Sequence, residues 1–434
     1  MPKARDFEVS LFVGVAVRAA VGWARACAVV DPLALSMPDG SEHLHESLYL
    51  IRAGVPASSV GVHARYPTPI LLPFALPFFS WWGTTLGRAL RRCVTVVLET
   101  AVALVLRDAF AREDASDSSP PKPTEPSDPP RRSGAFAAEP PEPLSAVARP
   151  TTIALAYFLN PAALLSTACD PWQPLVQLCA IGALAAARRG QLALSACAVA
   201  AASCIAPRLV VLLLPVHRLL AANHAIRNGA RRASLVCACF AACAAALVHL
   251  SCALVGIEPR AALDVVPGIR VAELTPGLGV AWYLFLLLYE RFWHYFVLVV
   301  TAAPWLHVGP IVVRLWCQPM LMASALLVVG TLAAPQVGAC DFAFVIALVL
   351  AAPLNRTHFA RARAAALALV AVVCTLPMMW HLWLEAGSAN ANYFYFQSLV
   401  ATALLHGFAM WSVSSAASAS LGRRRDRAEF RSVY

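Results

Sequence analysis

The stretch ASLVCACFAACAAALVHLSCALVG, residues 233–256, decides which kind of fold this chain can adopt. It contains no Asp, Glu, Lys or Arg, and about 20 apolar residues are enough for one helix to cross the hydrocarbon core of a bilayer. The basic run RNGARR, residues 227–232, directly precedes it. This arrangement predicts a transmembrane helix that begins on the cytosolic side of a membrane.

The composition of the whole chain extends this interpretation. The chain has 434 residues, of which 59% are hydrophobic and 13% are charged, and its mean hydropathy is +0.66. A soluble domain has about 25% charged residues. The excess of ten positive charges lies in short loops between apolar segments, which indicates membrane topology and no nucleic-acid partner. The thirteen cysteines form no C-x-x-C pair and mostly lie within apolar runs, so we predict neither a disulfide framework nor a metal site.

The apolar runs predict an all-α fold, a polytopic membrane helix bundle of about twelve spans. The candidate spans are residues 9–30, 90–110, 150–168, 172–188, 190–206, 207–224, 233–256, 280–302, 319–334, 337–354, 364–386 and 394–412. With the N-terminus in the cytosol, four basic segments fall on the cytosolic side, and both termini are cytosolic. These segments are residues 188–189, 227–232, 355–363 and the C-terminal tail. Residues 68–82 and 308–317 are then re-entrant or interfacial, and the basic run at 88–92 lies on the opposite side.

The same reading divides the chain into four parts. Residues 1–107 form a first membrane segment with a luminal loop at 31–66, and residues 150–422 form the multispanning bundle. Residues 108–149 contain nine prolines and no apolar period, which predicts a disordered linker. Residues 423–434 form a basic cytosolic tail.

Polar residues interrupt the apolar stretch MMWHLWLEAGSANANYFYFQ, residues 378–397, at the predicted luminal boundary. Gly387 can end a helix, and the amides of Asn390 and Asn392 offer donors and acceptors among aromatic rings. Two interpretations stay open. The segment is either a turn whose polar groups satisfy their own backbone, with Tyr393 to Phe396 as an interfacial aromatic belt, or a site that binds a polar ligand.

A second stretch, GVAWYLFLLLYERFWHYF at residues 279–296, predicts a helix with two distinct faces. Its aromatic stripe, expected to contact core or lipid, consists of Trp282, Phe285, Tyr289, Phe292 and Phe296. The polar stripe consists of Tyr283, Glu290 and His294. An ionisable group at membrane depth is costly, so Glu290 is expected to face a partner, a cavity or a ligand, and His294 is one candidate partner.

Three stretches resemble the PIG-U family, the multispanning U subunit of the GPI transamidase complex of the endoplasmic reticulum. They are ESLYLIRAGVPASSVGVHARYPTPILL (46–72), PGLGVAWYLFLLLYERFWHYF (276–296) and WHLWLEAGSANANYFYF (380–396), and FLNPAALLSTAC (158–169) adds a weaker fourth. The resemblance implies a non-catalytic subunit of the endoplasmic reticulum membrane that helps hold the GPI glycolipid, without a cofactor. It also implies four partners: the caspase-like catalytic subunit PIG-K, PIG-T, PIG-S and a GAA-type subunit.

The lipid-binding role that the resemblance implies makes both polar–aromatic stretches a candidate site. Its candidate residues are Trp282, Tyr283, Phe285, Glu290, His294, Phe296, His381, Ser388, Asn390, Asn392 and Phe394. No catalytic residue is assigned.

The alternative function is a dolichol-sugar-dependent membrane glycosyltransferase, whose general fold the family resembles. Such an enzyme needs an acidic group near the luminal face, often as a close pair. The loop at 31–66 contains Asp31, Asp39, Glu42 and Glu46 without a close acidic doublet. His43 and His45 in this loop would point apart on a helix, so a solvated loop is the simpler interpretation.

Overall fold

The structure is a computed structural model, and it describes helical segments along most of the chain. The described residues are 2–26, 53, 85–117, 150–160, 163–164, 173–223, 228–255, 283–284, 287–292, 295–296, 299, 302–316, 318–333, 339–350, 356–384, 386–388, 390–404, 406–407, 410 and 414. Within these residues the regular secondary structure is helical and contains no strand. The all-α prediction is therefore confirmed.

The helices are named here in chain order. The first group is α1 (Pro2–Ala26), α2 (Thr85–Asp117), α3 (Pro150–Phe158), α4 (Gln173–Arg188) and α5 (Leu192–Ile205). A 3-10 turn at Pro207–Leu212 leads into α6 (Leu213–Asn223), and α7 (Gly229–Val255) follows. The second group is α8 (Val308–Leu315), α9 (Pro319–Ala333), α10 (Ala339–Leu350), α11 (Arg356–Leu384) and α12 (391–404), with 3-10 turns at Glu290–Phe292 and Ala303–His307.

By length and composition, the described residues contain one helix able to cross a membrane, the segment Gly229–Ala253 of α7. Shorter apolar segments are Leu192–Ile205, Pro319–Leu332 and Leu367–Trp383. A spanning helix needs about 20 apolar residues. The described helices therefore agree with an apolar helix bundle but do not by themselves establish twelve spans.

Two helices extend beyond the predicted limits. Helix α2 continues to Asp117, so residues 108–117 are helical although they were expected in the linker. The first residues of this extension are held by packing, because Ala109 and Phe110 are buried and Arg188 donates to the Ala109 carbonyl. Helix α11 begins at Arg356, inside the predicted basic loop. Apart from Ala53, the predicted loop at 31–66 lies outside the described residues, as do 68–82 and the tail at 423–434.

Helices α1 and α2 run antiparallel and share a buried ion pair at their centre. The guanidinium of Arg107 lies 4.8 Å from the ring centroid of Phe7, and nearer the middle of both helices Arg18 donates to the carboxylate of Glu99. Both side chains of this pair are 0% exposed. Arg18 also donates to the Phe158 carbonyl and lies 3.9 Å from the centroid of the Phe158 ring. One arginine therefore joins α1, α2 and the end of α3.

Close packing at Gly14 brings α1 against the same ring. A Cβ atom added at Gly14 would lie 2.5 Å from Cε1 of Phe158, far inside van der Waals contact. Phe158 is fully buried and covered by Arg18, so its ring has little room to move away. Because Gly14 has no side chain, α1 can lie close to Phe158, and Arg18 can then contact the ring and the carbonyl of that residue.

A second buried polar network joins helix ends that are far apart in sequence. Gln173, at the start of α4, donates to Oδ1 of Asp341 in the first turn of α10. Arg208 donates to Oδ2 of the same carboxylate over 3.0 Å. Both carboxylate oxygens of Asp341 are therefore engaged, and Asp341 is 7% exposed.

The segment 207–223 runs antiparallel to the segment 316–333. Arg208 lies against Gly330 near one end of the two segments, with the two nearest atoms 3.7 Å from a Cβ built on Gly330. At the other end, Nε of Arg218 donates to the Trp316 carbonyl over 3.0 Å. Side-chain contacts at both ends thus fix the direction of these neighbours.

Candidate functional site

A tight turn connects α11 to α12 where the polar interruption was predicted. Gly387 has φ +60°, a left-handed conformation that is costly for residues with a Cβ. The reversal allows the amide of Ala386 to donate to the His381 carbonyl and the amide of Ser388 to the Leu382 carbonyl, both over 3.0 Å. The sequence therefore identified the helix-ending role of Gly387 correctly.

Asn390 caps the first turn of α12. Its Oδ1 accepts the amide N–H of Asn392 over 3.0 Å, and its backbone carbonyl accepts the amide of Tyr393 over 3.1 Å. Ser388 turns back, and its hydroxyl lies 3.4 Å from the Leu382 carbonyl. Both side chains satisfy nearby backbone groups, as the turn interpretation expected, and both remain exposed.

Asn392 connects this turn to the second polar–aromatic stretch. The hydroxyl of Tyr283 donates to Oδ1 of Asn392, although 109 positions separate the two residues in the sequence. The Tyr283 ring stacks on Tyr395, with centroids 4.1 Å apart and an angle of 21° between the planes. We refer to Tyr283, Asn390, Asn392 and Tyr395 as the amide–aromatic cluster.

Phe394 lies on the opposite side of α12 from Asn392 and anchors the helix. It is 0% exposed, and its ring centroid is 6.1 Å from that of Trp383 on α11. Ser398 and Ala401, which follow Phe394 at helical spacing, are also fully buried. Phe394 was a candidate lipid contact, and the structure places it inside the protein, where it fixes α12 against α11.

The expected continuous helix over 280–302 is not present among the described residues. The chain bends at Leu288 and forms a 3-10 turn at Glu290–Phe292, with the amide of Phe292 donating to the Tyr289 carbonyl over 2.9 Å. A 3-10 turn advances about 120° per residue, compared with about 100° in an α-helix. A single helical period therefore does not hold across this turn, and Trp282, Phe285 and His294 of the two predicted faces lie outside the described residues.

The remaining candidate residues fall into two groups. Phe296 is exposed, and His381 is exposed in the last turn of α11. Trp282, Phe285 and His294 lie outside the described residues, and Glu290 is described only in its backbone, within the 3-10 turn. Of the predicted site residues, the structure thus brings together Tyr283, Asn390 and Asn392.

Aromatic side chains extend the exposed surface on both stretches. The exposed aromatic residues are Tyr289, Phe292, Tyr295, Phe296, Tyr393 and Phe396. In water such a surface would be unfavourable, whereas acyl chains or a partner helix can cover it.

The amide–aromatic cluster can bind a polar group without acting as an acid or base. The hydrogen bond from Tyr283 uses the amide oxygen of Asn392, which leaves the two N–H groups of that amide as donors. The four side chains are amides and phenols, and the cluster contains no carboxylate, amine or imidazole. Neutral donors beside stacked rings suit hydroxyl or phosphate oxygens on an otherwise apolar ligand.

The sequence analysis placed Tyr395 only in an interfacial aromatic belt and did not single out Trp383. Each pairs with a residue that was predicted, Tyr395 with Tyr283 and Trp383 with Phe394. Tyr395 lies three positions after Asn392, so helical spacing places both on neighbouring parts of one face. That spacing was the available signal.

Comparison with protein families gives one match over most of the chain. Residues 35–401 match the family model described as GPI transamidase subunit PIG-U. The match includes the 3-10 turn, the Gly387 turn and the amide–aromatic cluster.

Curated relatives match over a shorter segment. The GPI-anchor transamidase component PIGU of Homo sapiens is 32% identical over 132 residues, which is 29% of each chain. The protein of the same name from Cricetulus griseus has the same identity and coverage. The GPI transamidase component GAB1 homolog of Schizosaccharomyces pombe is 29% identical over 131 residues, 30% of this chain and 31% of that protein. The alignments thus span less than a third of these relatives.

Proposed function

The chain belongs to the PIG-U family, and on this premise we propose that it is a non-catalytic subunit of the GPI transamidase complex in the endoplasmic reticulum membrane. Within that complex it helps to bind the GPI glycolipid and present it for attachment to precursor proteins. Its architecture is a bundle of about twelve spans resembling membrane glycosyltransferases, with both termini in the cytosol.

The observation that carries this proposal is the bond between Tyr283 and Asn392. It joins two of the stretches that resemble the family most, 276–296 and 380–396, at one place. Stacking of Tyr283 on Tyr395 adds a rigid aromatic wall beside the amide groups. A ligand with a polar headgroup and acyl chains fits such a surface, because the amides can meet headgroup oxygens while exposed rings contact the chains.

Inter-helix contacts support the proposed topology, because each joins residues assigned to the same side of the membrane. Four contacts join cytosolic ends: Phe7 with Arg107, Asp108 with Arg189, Arg218 with Trp316, and His307 with His406. The networks of Asp341 and Tyr283 join luminal ends. An error of one span in the assignment would place several of these partners on opposite sides.

The alternative, a membrane glycosyltransferase, needs a carboxylate near the luminal face that is available as a base or for metal. Among the acidic side chains that the structure describes, Asp341 lies at that depth. Gln173 and Arg208 engage both of its oxygens, and it is buried. A carboxylate held by an arginine in this way serves packing better than proton transfer. This arrangement favours the non-catalytic function.

The proposed partners are the caspase-like subunit PIG-K, PIG-T, PIG-S and the GAA-type subunit. Affinity purification of the tagged chain in mild detergent, followed by identification of the proteins recovered, tests this assignment. Recovery of the caspase-like subunit is expected. Recovery of none of the four would contradict the proposed complex.

The lipid-binding role is tested with Asn392→Lys and Tyr283→Phe in cells that depend on the variant chain. Asn392→Lys replaces two amide donors with a bulky cation, and Tyr283→Phe removes one hydroxyl while keeping the stacked ring. A hydrogen bond to a charged phosphate contributes roughly 1.5–3 kcal/mol, so lipid occupancy should fall about tenfold or more when it is lost. The measurements are the surface level of a GPI-anchored reporter and the yield of co-purified partners.

Tyr393→Phe is the matched control, because Tyr393 directly follows Asn392 on α12 and is exposed. Like Tyr283→Phe, it removes one hydroxyl and keeps the ring. It should leave reporter display unchanged. Reduced display with intact assembly supports a lipid site. Failed assembly in the Asn392 variant would instead make the cluster a structural joint, and normal display would exclude a role in lipid presentation.

A further inference from the structure

Helix α8 and the 3-10 turn before it form a short amphipathic segment, Ala303–Leu315 taken together. Helix α8 has eight residues, or roughly 12 Å at 1.5 Å per residue, so it cannot cross a core about 30 Å thick. Its neighbour in sequence, α9, is a strongly buried apolar helix. The proposed topology places this segment at the cytosolic membrane boundary.

One face of the segment packs on the protein core. The residues on this inner face recur at spacings of three and four, and they are Trp305, Val308, Ile311, Val312 and Leu315. Ile311 and Leu315 are fully within the core. This contact fixes the rotation of α8 and determines which side chains face outward.

The outward face is apolar at its centre and cationic at its edge. Leu306 is 78% exposed and Val313 is 81% exposed, while Arg314 and Trp316 are also exposed. A helix that faces water normally carries polar residues on its outer face. Exposed aliphatic residues flanked by tryptophan and arginine are typical of a helix that lies in the lipid headgroup region.

Arg218 from α6 adds a fixed cation to this surface. Its Nε donates to the carbonyl of Trp316 over 3.0 Å, and its guanidinium carbon lies 5.6 Å from the centroid of the Trp316 ring. The bond through Nε leaves the terminal nitrogens to meet another group. Because the side chain is already oriented, binding an anion there costs little additional side-chain entropy.

We propose that Arg218, Arg314 and Trp316, together with Leu306 and Val313, form a binding surface for an anionic phospholipid of the cytosolic leaflet. The guanidinium groups engage phosphate and other headgroup anions, and the aliphatic side chains enter the acyl boundary. Charge complementarity selects anionic over zwitterionic lipids. The cytosolic placement rests on the proposed topology, whereas the lipid preference can be measured without it.

The test uses the full-length chain purified with its partners in mild detergent and depleted of lipid. Its thermal stability is measured with increasing amounts of phosphatidylserine or phosphatidylcholine. We expect phosphatidylserine to stabilise the protein at lower concentration, and 1 M salt to weaken the difference. Arg218→Gln and Arg314→Gln should each raise the phosphatidylserine needed for half-maximal stabilisation about fivefold.

Arg189→Gln is the matched control, because Arg189 is an exposed arginine on the same proposed side and is already paired with Asp108. It should keep the phosphatidylserine preference. Equal stabilisation by both lipids in the unmodified protein would overturn the proposal. The proposal would also fail if Arg189→Gln weakened the preference for phosphatidylserine as much as Arg218→Gln and Arg314→Gln do. Because Arg314 is exposed, its variant remains informative even if Arg218→Gln is poorly folded. The measurement does not involve GPI attachment, so it fails or succeeds separately from the proposed function.

Discussion

The ion pair between Arg18 and Glu99 gives the sharpest test of how this fold is held together. Both side chains are 0% exposed, and the pair connects α1 to α2 while the same arginine reaches the end of α3. Removing one member of a buried pair leaves the other charge uncompensated and costs about 3–5 kcal/mol. Replacing both with apolar residues of similar volume removes the charge entirely and is often neutral.

We therefore expect Arg18→Leu and Glu99→Leu each to be strongly destabilising. The double variant should lose less stability than the sum of the two single losses. A loss of about 3–5 kcal/mol corresponds to an apparent Tm lower by on the order of 10 °C. The assay is the fraction of full-length protein that remains monodisperse in mild detergent after heating. The double variant should recover most of that loss, although it also lacks the bond to the Phe158 carbonyl.

The exposed pair between Arg189 and Asp108 serves as the control, since its side chains are 44% and 42% exposed. Exposed pairs contribute about 0–1 kcal/mol, so Arg189→Leu and Asp108→Leu should change Tm by only a few degrees. Additive losses at Arg18 and Glu99, with no recovery in the double variant, would refute a coupled buried pair.

Three further predictions follow from the turn, α12 and the Asp341 network. Gly387→Ala should cost about 1–2 kcal/mol because φ is +60°, and unchanged thermal stability would contradict the left-handed turn. Phe394→Ala should cost about 3–5 kcal/mol by leaving a cavity against α11, whereas Phe396→Ala, at an exposed position, should have little effect on Tm. Asp341→Asn should lower stability by leaving Arg208 without its carboxylate, yet GPI attachment per folded molecule should stay unchanged. Loss of attachment at normal stability would instead favour a catalytic role for Asp341.

The features that sequence predicted well are local in origin. Gly387 ends α11 because a left-handed residue is needed there, and Asn390 caps α12 because its amide oxygen reaches an amide two positions on. Both are decided by a few neighbouring residues, so sequence carries the signal. The helical character of the described residues follows from apolar runs without strand alternation in the same way.

The features that sequence did not predict depend on distant partners. Arg18 and Glu99 are 81 positions apart, and Arg208 and Asp341 are 133 apart. Each is an ionisable residue within or beside an apolar run, and equal predicted depth in the membrane was the signal that could have paired them. The 3-10 turn at Glu290–Phe292 lies in a segment without glycine or proline, so no helix-breaking residue in the sequence predicted it.

The polar groups of this protein divide into two classes with different physical consequences. Arg18, Glu99 and Asp341 are buried and held by charged partners, so meeting a ligand would first require those bonds to break in an apolar interior. The amides of Asn390 and Asn392 are exposed, and their present bonds use the carbonyl oxygens and leave the N–H groups as donors. Helix packing can therefore stay fixed while these N–H groups bind or release a hydrogen-bond acceptor. The proposed role of holding a lipid and then releasing it requires this separation, because binding should not alter the contacts that keep the helices together.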